Sequence, residues 1–174
     1  LSYVNNASLE TAGVDAAVTH TLDIGRFGSL RNSIDATYQT TYDVNGVDRL
    51  GSRNATVTGG SFSIPWRATL RSDWKLGAHS VQSVFRYTDS YHNDAPPNAG
   101  TAAKTSIESY IQWDLAYTYG FDFERLQLHN ASASLGINNV LNTNPPYVPD
   151  FNHTLFSIYD YSGRHIWLRL KTQF

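Results

Sequence analysis

Between residues 62 and 76 the even positions read Phe62, Ile64, Trp66, Ala68, Leu70, Ser72, Trp74 and Leu76, while the odd positions between them read Ser, Pro, Arg, Thr, Arg, Asp and Lys. Residues 107 to 121 repeat the pattern: Ile107, Ser109, Ile111, Trp113, Leu115, Tyr117, Tyr119 and Phe121 alternate with Glu108, Tyr110, Gln112, Asp114, Ala116, Thr118 and Gly120. A helix turns about 100° per residue and cannot hold such residues on one face, whereas a strand places every second side chain on the same side. The runs are also long. Globular strands have a modal length of about 5 to 6 residues, but about 9 to 11 tilted residues cross a bilayer.

Similar period-two runs cover residues 9–24, 30–44, 80–91, 126–141 and the C-terminal RHIWLRLKTQF, which predicts seven long strands. Short connections near 25–29, 77–79 and 122–125 alternate with long ones near 45–60, 92–106 and 142–163. In an antiparallel meander every second connection lies at the same end, so all tight turns share one end and all long loops the other. Bacterial outer-membrane barrels carry that asymmetry, with short periplasmic turns and long extracellular loops. Aromatics fall near both ends of the runs, Tyr42, Phe62, Trp66 and Tyr91 towards the long loops and Trp74, Tyr119, Phe121 and Phe174 towards the turns, as two interfacial girdles would.

Composition narrows the function classes. Thirteen Lys+Arg against fifteen Asp+Glu leave no basic stripe for a phosphate backbone, so no nucleic-acid partner is expected. No cysteine is present, which removes thiol nucleophiles, thiolate metal sites and disulfides. No run approaches the roughly 18 apolar residues of a spanning helix.

Four segments together resemble the C-terminal barrel of TonB-dependent outer-membrane receptors. They are YVNNASLETAGVDAAVTHTLDIG (3–25), PWRATLRSDWKLG (65–77), LGINNVLNTNPPY (135–147) and YSGRHIWLRLKTQF (161–174). The chain departs from the family where Asn139-Val140-Leu141 replaces the usual Asn-Leu-Phe and where Thr172 stands in place of a common aromatic. The resemblance implies an all-β, antiparallel transmembrane β-barrel segment: about seven strands of a plugged barrel of about 22. Seven strands alone leave two unpaired edges that lipid cannot satisfy. The expectation is therefore that residues 1–174 form the C-terminal part of one barrel domain, with the plug, the TonB box and the N-terminal strands lying elsewhere in the receptor.

The resemblance further implies a location in the outer membrane of a Gram-negative bacterium. It implies active import of a scarce nutrient, whether siderophore-iron, cobalamin, carbohydrate or peptide, and no enzyme activity. The implied partners are outer-membrane lipid, the rest of the same receptor, the TonB-ExbB-ExbD complex acting through the plug, and the barrel-assembly machinery. Phe174, Leu170, Leu168, Ile166, Trp74 and Trp66 become assembly or girdle residues facing lipid, with His165, Arg169 and Lys171 facing the lumen. Two other readings stay open on the residues: a passive porin-like channel, and a soluble lipocalin-like ligand-binding barrel whose apolar face would point inward.

Candidate chemistry is sparse. The substrate-contact candidates are polar and aromatic residues of the lumen or long loops: Asp89, His92, Asn93, Asp94, Tyr147, Asp150, Asn152 and His153. The sequence His92-Asn93-Asp94 lacks the ligand spacing of a zinc site. Asp43, Asp48, Asp89, Asp94 and Asp150 are of the type that binds calcium, but they lack the spacing of a calcium-binding loop and read as loop solubility. No metal or other cofactor, and no catalytic group, is expected.

Overall fold

The computed structural model describes residues 8–54, 61–93, 105–123, 128–148 and 158–173. They form twelve strands: β1 (Leu9–Asp23), β2 (Ser29–Val44), β3 (Val47–Asp48), β4 (Ser52–Asn54), β5 (Ser61–Phe62), β6 (Trp66–Leu76), β7 (His79–Thr88), β8 (Tyr91–Asn93), β9 (Thr105–Ile107), β10 (Tyr110–Phe123), β11 (Leu128–Asn138) and β12 (His165–Gln173). No α-helix occurs among the described residues. The seven long strands pair antiparallel in the order β1-β2-β6-β7-β10-β11-β12, with β3 as a short spur on β2. The sheet is open, and β1 and β12 are its two edges.

The alternation in the sequence becomes a pair of chemically different faces. One rung crosses the whole sheet as Leu22, Leu30, Trp74, Val81, Tyr117, Leu135 and Leu168, each directly paired with the next. Cross-strand partners share a face, so one strand after another contributes an apolar residue to the same side. The rung of Val18, Ile34, Leu70, Phe85 and Trp113 extends that side, as does the rung of Val14, Tyr38 and Trp66. Aromatic rings stack within it, Phe85 on Trp113 at 5.2 Å and Tyr38 on Trp66 at 4.6 Å. The side is nonetheless open. Leu170 is 72 % exposed, Leu168 and Ile166 69 %, and Val18 62 %.

One rung interrupts the apolar side. His20, Asn32, Ser72 and Ser83 are paired in a row before it resumes with Leu115, Ile137 and Ile166. Ser72 Oγ donates to Asn32 Oδ1 at 2.7 Å, and Ser83 Oγ accepts the Trp113 indole N–H at 2.9 Å, so these side chains meet part of their hydrogen-bonding need within the sheet.

The ends of the long strands are sorted. The Gly25–Phe27 turn joins β1 to β2, and Gly77-Ala78 joins β6 to β7, at one end. Gly28 lets the first turn close, because with a φ of +90° its backbone lies against the Lys75 carbonyl, where a Cβ would overlap. At the opposite end lie the three long connections.

These connections differ from the expectation of plain loops. Pro65 and the Glu108-Ser109 step break the alternating runs 62–76 and 107–121, so β6 begins at Trp66 and β10 at Tyr110. Ile64 and Ile107, expected on the apolar face of the long strands, instead leave the sheet and are buried elsewhere. Tyr91, expected in a girdle, goes with them. β5, β4, β8 and β9 make a second, four-stranded sheet in which β4 runs parallel to β8. Beside it Ile64, Tyr91, Ile107, Tyr110, Val148 and Tyr159 form a core, with Ile158 and Tyr161 packed against it. Among the described residues the buried apolar cluster therefore sits among the long connections, and the apolar face of the large sheet is uncovered.

Candidate functional site

The other face of the large sheet is polar, and the sheet curls towards it. Residues from all seven long strands line one trough of about 860 Å³, among them Thr21, Arg31, Asp73, Gln82, Thr118, Ser134 and Arg169. Strict alternation puts them there: each stands one residue away from a member of the apolar side. A smaller hollow continues it towards the long connections, lined by Asp15, Asp35, Thr37, Arg67, Thr69, Arg86 and Thr88.

Most carboxylates on this face are engaged. Asp73 accepts from Arg71 through Nε at 2.7 Å and Nη2 at 3.1 Å, and from Gln82 Nε2 at 3.0 Å. Asp114 pairs with Arg86 and accepts from Gln112 Nε2 at 3.1 Å and the Asn139 backbone N–H at 2.9 Å. Thr37 donates to Asp15 at 2.6 Å. Arg31 and Lys75 carry no such partner among the described residues, and Arg169 stacks its guanidinium over the Trp167 ring at 5.1 Å.

Asn139 anchors the end of β11. Its backbone is left-handed (φ 52°), its amide oxygen accepts the Thr143 N–H at 2.9 Å, and its side-chain nitrogen donates to the Thr143 carbonyl at 2.9 Å. Asn142 (φ 53°) does the same across the connection, accepting the Arg164 N–H at 3.2 Å. The segment 139–143, on which part of the family resemblance rests, thus works as a polar clasp at the top of β11.

The second cluster is the core among the connections. Burial, the main cause, pushes the Tyr91 phenol far above its ordinary range, and it pushes the Tyr159 phenol up as well. Asp160 is held below the usual carboxylate range by its hydrogen bonds with Ser162. Asn93 is buried on β8 and accepts Arg53 Nη1 at 3.1 Å, a tie between two different connections.

The structure separates several of the candidate contact residues. His92 is exposed and Asn93, its neighbour on β8, is buried, so the two point to opposite sides. Asp89 is turned inward on itself, accepting the Tyr87 hydroxyl at 2.9 Å and the Ser90 N–H at 2.8 Å. Tyr147 stands 64 % exposed. Asp94, Asp150, Asn152 and His153 lie outside the described residues, as does Phe174. No group of His, Asp or Glu suited to a metal occurs among the described residues. The trough residues Arg31, Lys75 and Arg169 form the feature that a search for loop ligands misses. Their signal was the charged parity of the long strands. Trp66 is exposed on the apolar side, and Trp74 shares that side while its indole donates to the Phe27 carbonyl at 2.8 Å.

No family model, curated protein or solved structure matches this chain.

Proposed function

We propose that this chain is a wall segment of a transmembrane β-barrel in the bacterial outer membrane, belonging to a TonB-dependent importer of a scarce nutrient. One observation carries the membrane reading: an uncovered apolar side spanning seven strands stands opposite a polar trough on the concave side. A water-facing sheet would need a cover over so wide an apolar area. In lipid that area needs none, and strands of 9 to 16 residues suit an apolar band about 25 Å tall. The sorted turns and long connections support the same orientation, with turns in the periplasm and connections outside. The open edges at β1 and β12 fit a segment whose neighbours are further strands of the same receptor.

Dependence on TonB rests on the resemblance of the segments at 3–25, 65–77, 135–147 and 161–174. The test is made on the full-length receptor in cells. It should fractionate with the outer membrane and cross-link to TonB, and import of one member of a panel of ferric chelates, cobalamin, carbohydrates and peptides should stop when the proton gradient is dissipated. Import unaffected by loss of TonB would put a passive channel in its place, and a soluble, monomeric receptor would overturn the membrane reading altogether.

A further inference from the structure

The three long connections run over 45–65 between β2 and β6, 89–109 between β7 and β10, and 139–164 between β11 and β12. Their common core draws Ile64 from the first, Tyr91 and Ile107 from the second, and Val148 and Tyr159 from the third, each at most 4 % exposed. Tyr110, at the start of β10, meets the Tyr159 ring edge-on at 5.3 Å. Among the described residues each connection thus supplies one or two fully buried apolar side chains, and none holds a core of its own.

The backbone is shared in the same way. β4 of the first connection pairs with β8 of the second, and the His92 N–H donates to the Gly51 carbonyl at 2.8 Å. Strands of 2 or 3 residues do not persist by themselves, since even a longer two-stranded pairing is marginal in water. Ties to the wall run beneath them. The buried Ser63 donates through Oγ to Gln39 Oε1 at 2.8 Å, and Gln39 Nε2 donates in turn to Thr11 Oγ1 at 3.0 Å. On the third connection the Val140 N–H donates to the Trp113 carbonyl at 2.7 Å.

We propose that the three long connections form one cooperative opening unit: they part from one another together or not at all, and none works as an independent lid at that end of the sheet. Local opening proceeds in contiguous units that share buried contacts. Withdrawing one connection exposes the apolar partners that it leaves on the other two, so the cost of the first departure already contains much of the cost of the rest. A ligand that engages one connection therefore shifts all three, because its preference acts on a single equilibrium.

The test uses the full-length protein in detergent and reads backbone hydrogen exchange, so neither import nor the membrane reading enters it. Val148→Ala opens a cavity in the core from the third connection. It should speed exchange of the Ser63 N–H in the first connection, bonded to the Ser52 carbonyl, and of the His92 N–H in the second, by a common factor of about ten. Leu141→Ala, at an exposed position of the third connection, should leave both rates unchanged. The chain has no cysteine, so Ser52→Cys and His92→Cys, opposite each other in the parallel ladder, can be oxidised to a disulfide. That link should slow exchange over 143–148 and 158–161 of the third connection, which it does not touch, by about tenfold or more, and reduction should restore the parent rate. The disulfide leaves the core intact, so it decides the matter even where Val148→Ala fails to fold. Exchange that quickens in the third connection alone, a disulfide effect confined to the first and second, or thiols that stay reduced under oxidant would overturn the proposal.

Discussion

The indole of Trp167 on β12 lies across the bare backbone of Gly136 on β11, so close that a Cβ at position 136 would overlap its ring. The indole N–H completes the arrangement by donating to Asn138 Oδ1 at 2.9 Å. An aromatic on the polar face is thus accounted for by the glycine opposite it, a cross-strand pairing that holds the β11–β12 register.

Gly136→Ala should therefore force the indole out and weaken the β11–β12 pairing, by about 1 to 3 kcal/mol as for other overpacked sites. Gly120→Ala, on the same face of β10, meets its nearest atom only at 3.7 Å and should be tolerated. On the proposed barrel reading, the comparison is the fraction of each variant of the full-length protein that reaches heat-resistant mobility at matched expression. Equal fractions would show that the indole moves aside freely.

The two faces make opposite demands on charge. Leu115→Arg places a guanidinium on the apolar side and should cost roughly 2 to 4 kcal/mol if it lies near the bilayer midplane. Ala116→Arg, one residue on, points into the trough and should assemble close to normally. On the proposed membrane reading, outer-membrane abundance of the two variants tests the orientation, and the reverse ranking would place water on the apolar side.

Asp114 serves three donors at once. Asp114→Ala leaves the Arg86 charge and the N–H of the buried Asn139 without their acceptor, a loss of about 1 to 3 kcal/mol for the orphaned groups. Asp114→Asn keeps an acceptor for the N–H and should lose less. Protease sensitivity of the connection after Asn139 reads the difference, and identical sensitivity in both variants would show that the clasp does not depend on this carboxylate.

The core among the long connections sets an alkaline limit. Burial raises the Tyr91 and Tyr159 phenols above the ordinary value of about 10. Below that value both states hold the proton and stability does not change. Above it the unfolded phenols ionise while the buried ones resist, so stability falls as pH rises towards the raised values. Tyrosinate absorbance should show Tyr91 among the last to ionise, together with loss of the connections' structure, and Tyr91→Phe should abolish part of that dependence. Early, reversible ionisation of all eleven tyrosines would contradict their burial.

The long strands were readable because period two survives whatever the surroundings are. Residues such as Leu70 and Arg71 declare opposite sides by type alone. The second sheet was not readable, because its strands are 2 or 3 residues long and their pairing joins positions far apart, such as Ser52 with His92. No alternation can establish itself over so few residues. Ile64 and Ile107 misled for a related reason: each continues the parity of the long strand beside it, and only the break at Pro65 or at Glu108-Ser109 sends it elsewhere. For the trough, the charged parity was visible, but the side to which the sheet curls is a property of the assembled strands.

The parallel pairing of β4 with β8 fastens together two connections that belong to different hairpins, and the Arg53–Asn93 bond reinforces the seam. A pull on either connection is therefore shared sideways before it travels down the strands beneath. Cutting the backbone in one of these two connections should therefore slacken the other as well, because they share one ladder.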